Sequence, residues 1–70
     1  MTNKELKTFN QGFLCAVVCA YSSCYLDANS TIKFLRYVGG FKTLDECIAC
    51  EPDEYDVEML EELFGGDSND

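Results

Sequence analysis

Seven carboxylates crowd twelve residues of this chain: Glu51, Asp53, Glu54, Asp56, Glu58, Glu61 and Glu62. On a helix, Glu54, Glu58, Glu61 and Glu62 share one face, with neighbours about 5–6 Å apart at Cβ. Phosphates along one DNA strand are spaced similarly, so such a face can imitate a nucleic-acid backbone to a basic protein. Charge of this density also steers association. The plain alternative is a solvated face that keeps a small protein in solution, but self-repulsion within one helix is an odd means to that end alone. Glu51, Asp53, Glu54, Glu58, Glu61 and Glu62 therefore read as a partner-binding surface, with Tyr55 as an anchor against an Arg-rich partner. A calcium loop is a poor fit, because residues 53–57 lack both the alternate-ligand spacing and the central glycine of an EF-hand.

The five cysteines are the second candidate chemistry. Cys15 and Cys19 stand four apart in an apolar run, Cys24 lies just beyond it, and Cys47 and Cys50 form a C-x-x-C. Two pairs from two elements could make a Cys₄ zinc site, a staple useful to so short a chain. Their neighbours are Ala, Val and Ile rather than the glycines and bases of a zinc knuckle, and four thiolates would add negative charge to an acidic protein. Core packing, with cysteine acting as a small hydrophobe, is the favoured reading, with no metal and no cofactor. A thioredoxin-like pair would need a βαβ context that is missing.

Catalysis finds no foothold. The chain has no histidine, no Gly-rich phosphate loop and no serine near a base. Its carboxylates are patterned for a surface, not isolated in apolar surroundings where their pKa values would be perturbed. The expected class is non-enzymatic.

The elements that must position these groups read as helices. Thr2 with Glu5 forms a capping box, after which Leu6, Phe9, Phe13, Ala16, Val17, Ala20 and Cys24 recur at helical spacing. Residues 13–21 are apolar on nearly every face, so this long first helix is central or shared with another chain. Gly12 within it costs about 1 kcal/mol relative to alanine, which a close helix crossing would offset. A short second helix over 31–38 follows a break at Asp27, Asn29 and Ser30, with Ile32, Leu35 and Val38 inward and Lys33 and Arg36 outward. Gly39-Gly40 supplies a left-handed stop. Thr43 with Glu46 caps a third helix whose inner face is Leu44, Cys47 and Ile48. Pro52 closes it, and Asp53 or Asp56 caps a fourth that carries Val57, Leu60, Leu63 and Phe64 to the core and ends at Gly65-Gly66. Most of the nine aromatics are expected in the core, with Tyr37 and Tyr55 as the exposed ones. The fold class is all-α: a compact bundle of about four short helices with a long, apolar first helix, one domain over 1–66 and a disordered acidic tail over 67–70.

Length and charge narrow the function further. Seventy residues hold one small domain, near the lower limit for a self-sufficient core. The net charge is −8, divided into +3 over residues 1–42 and −11 over 43–70. Lys33, Arg36 and Lys42 could lie against Glu51, Asp53 or Glu54, yet five bases cannot neutralise the acids of the second half. Such a balance argues against direct binding of nucleic acid or anionic lipid. The second and third helices have helix-turn-helix proportions, but Asp45, Glu46 and Glu51 would repel DNA. The polar N-terminus and the nine-residue apolar run match neither a signal peptide nor a membrane span, so the expectation is a cytoplasmic protein with reduced thiols.

The order of features resembles small accessory proteins encoded by bacteriophages. The resemblance rests on Phe9-x-x-Gly12-Phe13 with the Ala/Val/Cys helix, Leu35-x-x-Val38-Gly39, and Asp53-x-Tyr55-Asp56-Val57 followed by Met59 and Leu60; the cysteine pairs depart from it. It implies a short acidic protein that binds and inhibits host machinery in the host cytoplasm, including CRISPR effectors, in an anti-CRISPR-like way. The expected partner is then a host protein with a basic surface. A homodimer through Phe13, Val17 and Ala20 of the first helix is the alternative, in which the acids serve solubility.

Overall fold

The computed structural model describes residues 2–68, and their secondary structure is helical with no strand. Helix α1 spans Asn3–Ser22, α2 spans Ala28–Lys33 and runs into a π-helical turn at Phe34–Val38, α3 spans Leu44–Ile48 and α4 spans Glu54–Ser68. The all-α bundle expected from the sequence is the fold observed. Its Cα radius of gyration is 11.4 Å, against about 11 Å for a compact chain of this length.

Local chemistry sets the helix starts. The Thr2–Glu5 and Thr43–Glu46 capping boxes both form, each with the hydroxyl accepting from the N3 amide and the glutamate accepting from the cap amide. Asp27, not Asn29 or Ser30, caps α2, its carboxylate accepting from the Ser30 amide at 2.7 Å. Asp53 caps α4 by accepting from the Asp56 amide at 2.9 Å. Gly40, at φ +76°, makes the expected left-handed turn after the π-helical segment.

The core joins Leu14, Val17 and Val18 of α1 to Ile32, Leu35, Phe41, Cys47, Cys50, Leu60, Leu63 and Phe64. This corrects the inner stripe expected for α1. Val17 is buried and Phe13 packs against the core as expected, but Leu14 and Val18 are buried beside them, while Leu6, Phe9 and Ala16, and Cys24 beyond the helix end, are exposed. The cause lies in the sequence itself: residues 13–21 are apolar on nearly every side, so periodicity there does not choose a face, and packing against α2 and α4 chooses it. Val38 also turns outward, because the π-helical turn, closed by the Gly39 amide on the Phe34 carbonyl at 3.1 Å, rotates it off the line of Ile32 and Leu35.

Fewer aromatics enter the core than expected. Phe41 and Phe64 are buried, Phe13 and Tyr21 pack half-buried against the core, and Phe9, Tyr25 and Phe34 join Tyr37 and Tyr55 at the surface. Phe13 stacks on Phe41 with ring centroids 6.2 Å apart. Gly39 makes that stack possible, since a Cβ there would lie 2.5 Å from the Phe13 ring and 2.8 Å from the Phe41 ring. Helix α4 continues past Gly65 and Gly66 to Ser68, beyond the expected stop. A glycine ends a helix most readily when it turns left-handed, and among the described residues Gly40 is the glycine that does so. Of the tail expected over 67–70, residues 69 and 70 lie outside the described residues.

Candidate functional site: an acidic helix face

Helix α4 turns apolar residues inward and carboxylates outward. Leu60, Leu63 and Phe64 pack into the core, and that burial fixes the rotation of the helix. Glu54, Glu58, Glu61 and Glu62 are consequently all exposed on the opposite side. Tyr55 sits on the flank, 51% exposed. Glu51 and Asp53 are exposed just before the N-terminal end of the helix, so every residue singled out in the sequence as partner-binding is exposed.

The internal neutralisation takes a different form from the one expected. Among the described residues, the ion pair shown is Lys7 Nζ with Glu51 Oε1 at 2.9 Å, so the cation at Glu51 comes from α1 and not from the 33–42 segment. Lys42 meets Glu46 instead, donating its backbone amide. The pair at Glu51 belongs to a clamp. Gln11 Nε2 donates to the Cys50 carbonyl at 2.8 Å and to the Glu51 carbonyl at 3.0 Å. Glu51 itself is left-handed at φ 57°, a conformation that costs a non-glycine residue roughly 1 kcal/mol or more. Together these contacts anchor the turn from which α4 departs. Sequence reasoning missed Gln11, since a glutamine in an apolar helix carries no signal of what it will bind.

Asp56 is the exception among the seven carboxylates. It is 3% exposed, on the inner face of α4, where it follows the same spacing as Leu60 and Leu63. That spacing was the available signal. Burial raises its pKa, as does the neighbouring Asp53 carboxylate, while a hydrogen bond from the Cys15 thiol opposes the rise. The Asp56 charge in turn is the largest influence raising the Cys15 pKa, followed by Cys19. Cys15, Gln11, Pro52, Asp53 and Asp56 line a cleft of about 250 Å³. With the thiol held protonated, this corner is a poor nucleophile.

The cysteines do not converge. Cys15, Cys19 and Cys24 are exposed, whereas Cys47 and Cys50 are buried. Burial pushes the Cys47 thiol up to about 12, so it stays protonated and packs as a hydrophobe. The Cys50 thiol faces the Glu46 carbonyl at 3.7 Å. Among the described residues no group of three or more Cys, Asp or Glu side chains could hold a metal ion, so the Cys₄ alternative of Cys15, Cys19, Cys47 and Cys50 is not assembled. The physical reason is that one pair points out of α1 while the other fills the core under α3.

A second cleft, of about 310 Å³, is lined by Arg36, Lys42, Leu44, Glu61 and Phe64 among others. It touches the acidic face at Glu61. No described helix is long and apolar enough to cross a membrane. No protein-family model, no curated protein and no solved structure matches this chain. The acidic surface therefore has to be interpreted from its own chemistry.

Proposed function

We propose that this is a non-catalytic binding protein that uses the outer face of α4 to occupy a basic surface on another protein, of the kind that handles nucleic acid. The observation that carries the reading is the arrangement of Glu54, Glu58, Glu61 and Glu62. All four project to solvent from one helix, and the ion pair shown among the described residues, Lys7 with Glu51, involves none of them. Like charges at i, i+4 cost the helix stability, and here the sequence keeps two such pairs, Glu54–Glu58 and Glu58–Glu62. A basic partner converts that repulsion into attraction and speeds the encounter. Tyr55 beside the acids supplies a partly exposed aromatic ring for an arginine to stack on. The host-inhibitor character implied by the resemblance to phage accessory proteins, with a CRISPR effector as one target, fits the same surface. Direct binding to nucleic acid or to a membrane is not part of the proposal, because phosphates would meet carboxylates.

The test is a pull-down from nuclease-treated source-host lysate, washed at low and then at high salt. It is run in parallel with a variant carrying Glu54→Lys, Glu58→Lys, Glu61→Lys and Glu62→Lys. The expected result is one basic nucleic-acid-binding protein, retained by the native chain, released by salt and absent from the variant lane. Equal recovery by a folded variant refutes the acidic-face reading.

A further inference from the structure

We propose that the second cleft is a binding site for a small carboxylic acid with an apolar body. The cleft draws Arg36 from the π-helical turn, Lys42 from the loop after it, Leu44 from α3, and Glu61, Phe64 and Gly65 from α4. Its volume of about 310 Å³ is at the low end for a ligand pocket. At about 30 Å³ per heavy atom, the share of a water molecule in the liquid, that is room for roughly ten heavy atoms.

The charges select the kind of molecule. Residues 28–44 hold Lys33, Arg36 and Lys42 and no acid, in a chain whose net charge is −8. Two of these three cations line the cleft, against one acid, Glu61. The Lys42 ammonium makes no ion pair among the described residues. Asp45 and Glu46 follow it closely in sequence, but neither lines the cleft. The Glu46 carboxylate is held instead by the backbone amides of Lys42 and Thr43, at 2.6 and 3.1 Å. A carboxylate placed at Lys42 gains a charge-assisted hydrogen bond. The rest of the ligand then covers Leu44 and Phe64, where its apolar surface leaves water. Glu61 sets the limit on charge, because it is exposed and shares α4 with three more exposed glutamates. A polyanion would be repelled there, so the site suits a single negative charge.

Gly65 is an independent pointer to a ligand. It stands inside α4, where a glycine weakens the helix. No left-handed turn requires it, and a Cβ built on it meets nothing within 4 Å, so no close packing within the chain requires it either. Its missing side chain leaves the wall of the cleft open, with room for a ligand to lie against the backbone of α4.

The experiment is a titration of the isotope-labelled full chain with hexanoate, at pH 7 and constant ionic strength, followed by amide chemical shifts. The amides of Lys42, Leu44 and Gly65 should shift and saturate together, with a Kd on the order of 1 mM. Hexanol keeps the apolar body and loses the charge, and it should bind at least about fivefold more weakly. Lys42→Gln should remove that preference. Gly65→Leu fills the cleft and should weaken hexanoate at least about tenfold. Its helicity by circular dichroism should persist, because leucine favours a helix and the position is open. Shifts that do not saturate by about 20 mM hexanoate, or that spare the cleft, overturn the proposal. So does hexanol binding as tightly as hexanoate, which would make the cleft an apolar slot for a partner's side chain. A preference for hexanoate that survives Lys42→Gln, or hexanoate binding that a folded Gly65→Leu leaves intact, refutes it as well. The cleft and the acidic face fail separately, because neither variant touches Glu54, Glu58, Glu61 or Glu62.

Discussion

Glu58→Lys is the substitution on which the functional argument turns, because it should move stability and binding in opposite directions. Glu58 is exposed at the middle of the acidic face, four residues after Glu54, four before Glu62 and three before Glu61. In the native chain these are three repulsive neighbours. With a lysine in the middle they become three attractive ones, and Glu54 then lies four residues N-terminal to the cation, which is the favoured order. Each pair changes by roughly 0.4–1 kcal/mol, from the repulsion removed and the attraction gained, so the total stabilisation is about 1–3 kcal/mol. In a domain of this size each kcal/mol corresponds to roughly 4–8 °C in Tm. Thermal unfolding at low salt followed by circular dichroism reads the gain, and about 1 M salt should erase much of it by screening. Binding to the basic partner should weaken, because the substitution reverses the charge at the centre of the contact. A folded Glu58→Lys protein with unchanged or lower Tm at low salt would falsify the claim that α4 holds its acids against its own stability. Higher stability with undiminished binding would instead assign the acids to solubility.

Two further perturbations test the scaffold. Gly39→Ala should destabilise by about 1–3 kcal/mol through overpacking, since its Cβ would collide with the Phe13 and Phe41 rings and lie 3.0 Å from the Leu35 carbonyl. Its backbone, at φ −85°, would accept alanine without strain, so a neutral result in urea denaturation refutes the packing argument. Adding Phe13→Leu should recover part of the loss. Asp56→Asn should raise stability at pH 7, because it removes a buried charge that faces Asp53. The sign with pH follows from the raised pKa. The folded state takes up the Asp56 proton before the unfolded state does, so native stability gains from this group as pH falls from neutral towards the ordinary carboxyl value of 3.8. The advantage of the asparagine variant should therefore shrink across that window, and a constant advantage refutes the assignment. Glu5 and Asp27, whose pKa values are lowered by hydrogen bonds to Thr2 and Ser30, act in the opposite direction in both proteins and cancel in the comparison.

Much of this molecule is legible in its sequence because much of it is decided locally. Both capping boxes, the left-handed Gly40, the Asp53 cap and the placement of four glutamates on one side of α4 follow from residues within one or two turns of each other. Caps satisfy the otherwise unpaired amides at helix starts, and the 3.6-residue period places the glutamates; neither depends on the rest of the fold. The acidic surface was readable for the same reason.

Tertiary structure decided everything that required two elements to meet. Residues 13–21 of α1 are apolar on nearly every side, so packing against α2 and α4 is what selects Leu14 and Val18 for the core. The pairing of Lys7 with Glu51, and the grip of Gln11 on the Cys50 and Glu51 carbonyls, join residues about forty positions apart with no pattern to announce them. The two cysteine pairs, both at helical spacing, are separated by the fold into an exposed pair on α1 and a buried pair at and just after α3. Periodicity states which residues share a face; which face is buried depends on the free energy of removing it from water against a particular neighbour, and that neighbour exists only in the folded chain.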